Sequence, residues 1–223
     1  ILTSSLSEGQ GPPTLAALSG KTVVKWLTNS GIEGRSLSPD LIGPSIAPAL
    51  SHYAAEHHSL AAAGDEFRIA VWIENSANGY RARGVRIVRG VPIDNAPLDF
   101  GPAWGSDAPI GVGAIDDQFL VIWAGPDKML SRRLTAAFYD KELPPVAVPE
   151  LNHLLVNDLV ITTDTIDFVV FGVARPAPGG PLGAREMFTQ RFPRNPLATI
   201  PPPATHWSGA REEVTHLEVA HSG

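Results

Sequence analysis

Four continuous apolar runs stand out along the chain, each cut short by polar or turn-forming residues. They are KTVVKW (21–26), EFRIAVW (66–72), QFLVIW (118–123) and DFVVFG (167–172). Short runs rich in Val, Ile and Phe predict strands covered on both faces. Each is followed by a segment that alternates instead, as in Arg83, Val85 and Ile87 or Leu134, Ala136 and Phe138. Alternation of period two predicts a strand with side chains on opposite faces. Each continuous run is also preceded by a shorter apolar stretch: TLAAL (14–18), SLAAAG (59–64), PIGVGA (109–114) and HLLVND (153–158). Turn residues separate the two at Ser19-Gly20, Gly64-Asp65, Asp116-Asp117 and 165–167, which are hairpin positions. A proline-led segment closes each group: PSIAP from Pro44, PLDFG from Pro97, PVAVP from Pro145 and PLATI from Pro196.

The groups repeat. Trp26, Trp72, Trp123 and Phe171 end the apolar runs at spacings of 46, 51 and 48 residues. An arginine follows each anchor, Arg35, Arg83, Arg133 and Arg185, at spacings of 48, 50 and 52. Four short strands in a unit of roughly fifty residues make a propeller blade. The predicted fold is all-β, a β-propeller or part of one, with four recognisable four-stranded blades. Within a single domain over 1–223 the blades fall at approximately 14–48, 58–100, 109–148 and 153–200. ILTS (1–4) has the phase of a fourth strand, and 214–223 that of a first strand. The expectation is a piece of a longer propeller, because the terminal unit lacks its second and third strands. A closed four-bladed ring is the alternative. The Ala-rich segment 47–64 has helical propensity, yet repeat phase assigns its last part to a strand. The Pro-rich segment 193–213 is expected to be an extended loop.

A short strand, an FLVIW-like run, a polar loop, R-x-L/V and a closing Pro-x-x resemble the repeats of bacterial secreted and cell-surface β-propeller proteins. The resemblance covers nearly the whole chain and concerns architecture rather than activity. It implies an exported protein, whether extracellular, on the cell surface or periplasmic. Such families include lectins, adhesion modules, scaffold subunits and a few enzymes.

Composition narrows the partners. The chain is 43% hydrophobic and 18% charged, a globular balance. Its 21 Gly and 21 Pro disfavour long helices. A net charge of −6 without a basic run argues against nucleic acid. No apolar run is long enough for membrane insertion by a helix. With no cysteine, disulfides and Cys-ligated zinc are excluded. His52, His57 and His58 in SHYAAEHH do not form H-E-x-x-H, and no nucleophile elbow, P-loop, dinucleotide or calcium-loop pattern is present. Catalytic residues therefore stay unassigned.

Several residues still carry candidate chemistry. Arg35, Arg83, Arg133 and Arg185 are read as structural, each fork of donors capping carbonyls or a carboxylate between blades. Trp26, Trp72 and Trp123 are read as core. Trp104, Trp207 and Tyr80, placed in loops, are the expected ligand contacts. The leading functional expectation is a non-enzymatic binding or scaffold module that needs no cofactor and contacts glycan or protein through inter-blade loops. The runner-up is an enzyme or metal-binding propeller. In it His58, His153 and His216, at the starts of first strands, would converge on a divalent transition metal at the channel mouth. A third reading is a structural subunit, its terminal blade completed by another chain or by the missing part of its own.

Overall fold

A computed structural model gives the architecture. It describes residues 14–18, 21–28, 31–37, 42–45, 55–63, 67–89, 91–135, 144–151, 154–164, 166–176 and 185–209. These residues form four antiparallel sheets in chain order. Blade one holds β1 (Thr14–Leu18), β2 (Lys21–Thr28), β3 (Gly31–Leu37) and β4 (Ile42–Ser45). Blade two holds β5 (Ala55–Ala63), β6 (Phe67–Ser76) and β7 (Gly79–Val88). Its outer position is shared by β8 (Val91–Pro92) and β9 (Leu98–Pro102), both paired with β7. Blade three holds β10 (Ile110–Ile115), β11 (Gln118–Ala124), β12 (Met129–Thr135) and β13 (Val146–Ala147). Blade four holds β14 (Leu154–Thr163), β15 (Asp167–Pro176), β16 (Arg185–Pro193) and β17 (Ala204–Gly209). The first strand of each sheet lies against the first strand of the next, from β1 to β5, β10 and β14. This is the radial stacking of a β-propeller with four recognisable four-stranded blades.

The strand order agrees with the repeat, and the differences have local causes. The Ala-rich segment forms β5 over Ala55–Ala63, because ladder pairing with β6 outweighs helical propensity. In blade one the outer strand starts at Ile42 rather than Pro44. In blade four the expected strand at Pro196 is a turn, and the outer strand comes later, at β17, inside the expected loop. Proline lacks the N–H a ladder needs, so pairing waits until the run Pro201 to Pro203 has passed. The buried Gln190 amide holds the detour in place by donating to the Pro201 carbonyl. The terminal segments 1–4 and 214–223 lie outside the described residues.

The core sits between the sheets. Ile69, Val71 and Ile73 of β6 share one apolar cluster with Phe119, Val121 and Trp123 of β11 and with Leu159 and Ile161 of β14. Phe100 of blade two meets Trp123 of blade three at 6.2 Å between ring centroids. The sequence IGVGAI of β10 shows what close stacking requires. A Cβ on Gly111 would stand 2.2 Å from Leu159 Cδ1, and one on Gly113 would stand 2.5 Å from Ile161 Cγ2. β10 therefore approaches β14 more closely than any side chain allows.

Gly113→Val is expected to lower unfolding stability by about 1–3 kcal/mol through overpacking. Denaturant midpoints of the two proteins measure it. An unchanged midpoint would mean that β10 and β14 are not so tightly apposed.

Candidate functional site

The richest polar array among the described residues lies at the end of blade two where the linker to blade three begins. The chain turns there through a tight hairpin between β6 and β7. Gly79 takes a φ of +90°, which favours glycine. The Ser76 hydroxyl donates to the Gly79 carbonyl at 2.7 Å and accepts from the Asn78 N–H at 3.3 Å. This turn sets the register, in which Trp72 faces Arg83 and Glu74 faces Arg81. On the other side of β7, Arg83 faces Asp99 of β9. Cross-strand partners share a face of the sheet. Five polar or indole-bearing side chains thus meet on one face, while Ile69, Val71 and Ile73 occupy the other.

The contacts form a graded network. Trp72 Nε1 donates to Glu74 Oε2 at 3.2 Å, and Arg83 Nε stands 3.6 Å from Glu74 Oε1. Arg83 Nη1 reaches Asp99 Oδ2 at 3.2 Å. Arg81 holds the same carboxylate from Nε at 3.1 and 3.0 Å and from Nη2 at 2.8 Å. Asp99 also accepts from the Gly101 N–H at 3.1 Å, where φ is +136°. From blade three, Arg132 Nη1 donates to the Asp99 carbonyl at 3.2 Å. Trp72 and Glu74 are buried, whereas the Asp99 side chain is 40% exposed. Charge-assisted contacts of this kind are the strong hydrogen bonds of proteins, and buried charge persists only when so paired.

An aromatic rim adjoins the network. Trp104 is 50% exposed on the linker. Its N–H donates to the Ala124 carbonyl at 3.1 Å, and the preceding Ala103 N–H donates to the Tyr80 carbonyl at 2.9 Å. The Trp123 indole donates to the Pro102 carbonyl at 2.9 Å, and Pro102 is the cross-strand partner of Arg81. The structure therefore brings the Trp104 linker beside Tyr80, which lies not in a loop but in β7 opposite Asn75, and packs partly against the core. Trp207 does not join them. It lies in β17 opposite Met187, in the outer strand of blade four, not in an inter-blade loop. His58 lies in β5 opposite Trp72, and its side chain is outside the described residues, as are His153 and His216 altogether. Among the described residues no cluster of histidines and carboxylates suits a metal ion.

The four repeated arginines occupy different register positions despite their even spacing. Arg83 faces the anchor Trp72, but Arg35 faces Val24 and Arg133 faces Leu120. Arg133 donates from Nη2 to the Pro193 carbonyl at 2.6 Å and from Nη1 to the Arg194 carbonyl at 3.2 Å, and lies over the Phe168 ring at 5.3 Å. Burial lowers its pKa and the Asp167 carboxylate opposes that shift. Arg35 and Arg185 lie in β3 and β16, with side chains outside the described residues.

Glu74, Arg81, Asp99 and Arg132 were not legible as site residues. Counting symmetrically outward from the hairpin would have paired Glu74 with Arg81. Nothing local links either to Asp99.

At the opposite end of the sheets, Asp164 organises the hairpin into β15. Its carboxylate is held below the usual range by the Asp167 and Ile166 N–H groups, at 2.7 and 2.8 Å, with further help from Arg191 and against some desolvation. A carboxyl group whose folded pKa is depressed stabilises the fold above its unfolded pKa, and loses that contribution as pH falls through the folded value. Asp164→Ala is thus expected to be less stable than the parent at neutral pH, with the gap closing below about pH 4. Urea midpoints across pH test this; a constant gap would remove the ionised carboxylate from the explanation.

No protein-family model matches the chain, and no curated protein matches it in sequence. Solved structures share its architecture. An exo-1,5-alpha-L-arabinanase from a bovine ruminal metagenomic library aligns with a TM-score of 0.51 at 10% identity, over 88% of this chain and 78% of its own. A glycosyl hydrolase from Bacteroides ovatus aligns with a TM-score of 0.51 at 9% identity, over 87% and 70%. Bacteroides ovatus xyloglucan PUL GH43B gives 0.52 at 13%, over 85% of this chain and 40% of its own. At such identities the likeness is one of fold, and it supports the propeller. It also overturns the expectation of a non-enzymatic binding or scaffold module, since the propellers that share the architecture are described as glycan hydrolases.

Proposed function

We propose that this chain is the propeller of an exported glycan-degrading enzyme, a glycoside hydrolase acting on arabinan- or xylan-type polysaccharide. The observation that carries the reading is the pair of carboxylates, Glu74 and Asp99, on either side of one guanidinium at the blade end beside Trp104. The hydrolase descriptions of structures with the same fold support it.

Glycoside hydrolysis commonly needs two carboxyl groups flanking the scissile bond, one protonating the leaving oxygen and the other acting on the anomeric carbon or on water. Their separations run from about 5 to about 9.5 Å, a span in which a guanidinium between them fits. Solvent-facing Asp99 is placed to meet water or the anomeric carbon, and sheltered Glu74 to meet the glycosidic oxygen. Arg81 and Arg83 keep both side chains in position. The exposed indole of Trp104 offers an apolar surface for the flat face of a sugar ring. A polymeric substrate would be met outside the cell, in keeping with export.

Incubation with arabinan, xylan and xyloglucan, followed by reducing-sugar release, tests the reading. The wild-type chain should release sugar from at least one polymer. Glu74→Gln and Asp99→Asn should each lower kcat/KM by about a hundredfold or more, with circular dichroism unchanged. Full activity in both variants would move the chemistry elsewhere, and no release from any polymer would reject the hydrolase assignment.

A further inference from the structure

Trp72 ends one of the repeated apolar runs, at the position that Trp26, Trp123 and Phe171 occupy in the other blades. The anchor of blade three shows what that position needs. Trp123 is fully buried, and its indole donates to a backbone carbonyl, that of Pro102, at 2.9 Å. Trp72 is as deeply buried, but its Nε1–H donates to Glu74 Oε2 at 3.2 Å. Two residues beyond the anchor the other blades carry Thr28, Gly125 and Val173. A carboxylate at that position is confined to blade two, so packing of the anchor does not call for it. Burying a carboxylate is unfavourable unless it is partnered.

The contact makes the two oxygens of Glu74 unequal. An indole nitrogen donates and cannot accept, so Oε2 is fixed as an acceptor. Oε1 lies on the side of Arg83, whose Nε stands 3.6 Å away, beyond hydrogen-bonding reach. Arg83 in turn reaches Asp99 Oδ2 from Nη1 at 3.2 Å. Arg81, the cross-strand neighbour of Glu74, is held by Asp99. Glu56, His57 and His58 of β5 have side chains outside the described residues. In a protonated carboxyl group the carbonyl oxygen is the better acceptor, and here it stays with the indole. The proton then sits on Oε1, on the side where Asp99 lies.

We propose that Trp72 is a positioning residue for the general acid. Its indole turns Glu74 so that the acidic proton is carried on Oε1 and delivered to the glycosidic oxygen. The inference rests on the glycan-hydrolase reading above. The proton passes from Oε1 to that oxygen as the bond to the anomeric carbon breaks, and the bonding pair leaves with the oxygen. Asp99, or water that Asp99 deprotonates, forms the new bond to carbon, and water restores the proton to Glu74.

The test varies the leaving group. A sugar alkoxide must be protonated as it departs, whereas dinitrophenolate is stable as an anion and departs unaided. Wild type is compared with Trp72→Phe, which keeps an aromatic ring in the core but lacks the donor. The substrates are the polymer that the wild type cleaves and a dinitrophenyl glycoside of the corresponding oligosaccharide. The variant should lose about tenfold or more in kcat/KM on the polymer, the scale of a misplaced catalytic group, and stay near wild type on the dinitrophenyl substrate. Glu74→Gln should show the same split more steeply. Equal losses on both substrates would mark Trp72 as structural and overturn the proposal while leaving the hydrolase reading intact. Wild-type turnover of neither substrate would overturn both. Should Trp72→Phe fail to fold, the indole N–H resonances of the five tryptophans decide. One of them should move on Glu74→Gln, and a spectrum with none moved would overturn the proposal.

Discussion

The structure depends on close apposition of sheets that are buried on both faces. In a radial stack each inner strand meets two neighbours, and the space between them is narrowest there. Glycine at 111 and 113 of β10 meets that constraint by removing the side chains that would strike Leu159 and Ile161. The same device recurs further out. Gly84 of β7 leaves room for the Phe100 ring, since a Cβ there would stand 2.5 Å from Phe100 Cε2. Phe100 in turn carries Trp123 across the seam between blades two and three. Small residues thus set the distance between sheets, and large ones fill the wedge that opens outward.

The same constraint decides where polar chemistry can sit. Faces pressed against a neighbour admit a charge only with its partner. Most of the described ion pairs lie accordingly near the blade ends, where solvent reaches, while Arg132 and Gln190 are buried in mid-strand. One end joins Glu74, Arg81, Arg83 and Asp99 beside the Trp104 linker. The other joins Asp164 to Arg191, and Arg194 to Asp116 at 2.6 Å. Arg133 shows a different use of the same residue type. It spends its donors on the carbonyls of Pro193 and Arg194 and ties blade three to blade four. Even spacing along the chain did not make Arg83 and Arg133 equivalent. Register placed one against a carboxylate pair and the other against the backbone.

Much of the fold was legible in the sequence for a physical reason. Continuous apolar runs such as QFLVIW and turns such as Asp116-Asp117 are local features, and they locate strands without knowledge of the partner. Where a strand was misplaced, in blade four, a rule based on the closing proline met a segment in which proline prevents pairing. The site was far less legible. Trp104 was identifiable as a loop aromatic, but Tyr80 and Trp207 shared that description and proved to lie in strands, β7 and β17. Glu74 ends an apolar run and Arg81 follows a turn, which describes many surface residues.

The sequence by itself determined the all-β class, the four-strand repeat and the order of the strands, because hydrophobic patterning and turn chemistry act over a few residues. Tertiary structure alone decided which side chains meet. Glu74 reaches Arg83 through hairpin register, Arg83 reaches Asp99 across an irregular β7–β9 ladder, and Arg132 arrives from the next blade. Each of those contacts depends on how sheets twist and stack. That is set by the packing of the whole core and is not encoded in any one stretch of the chain.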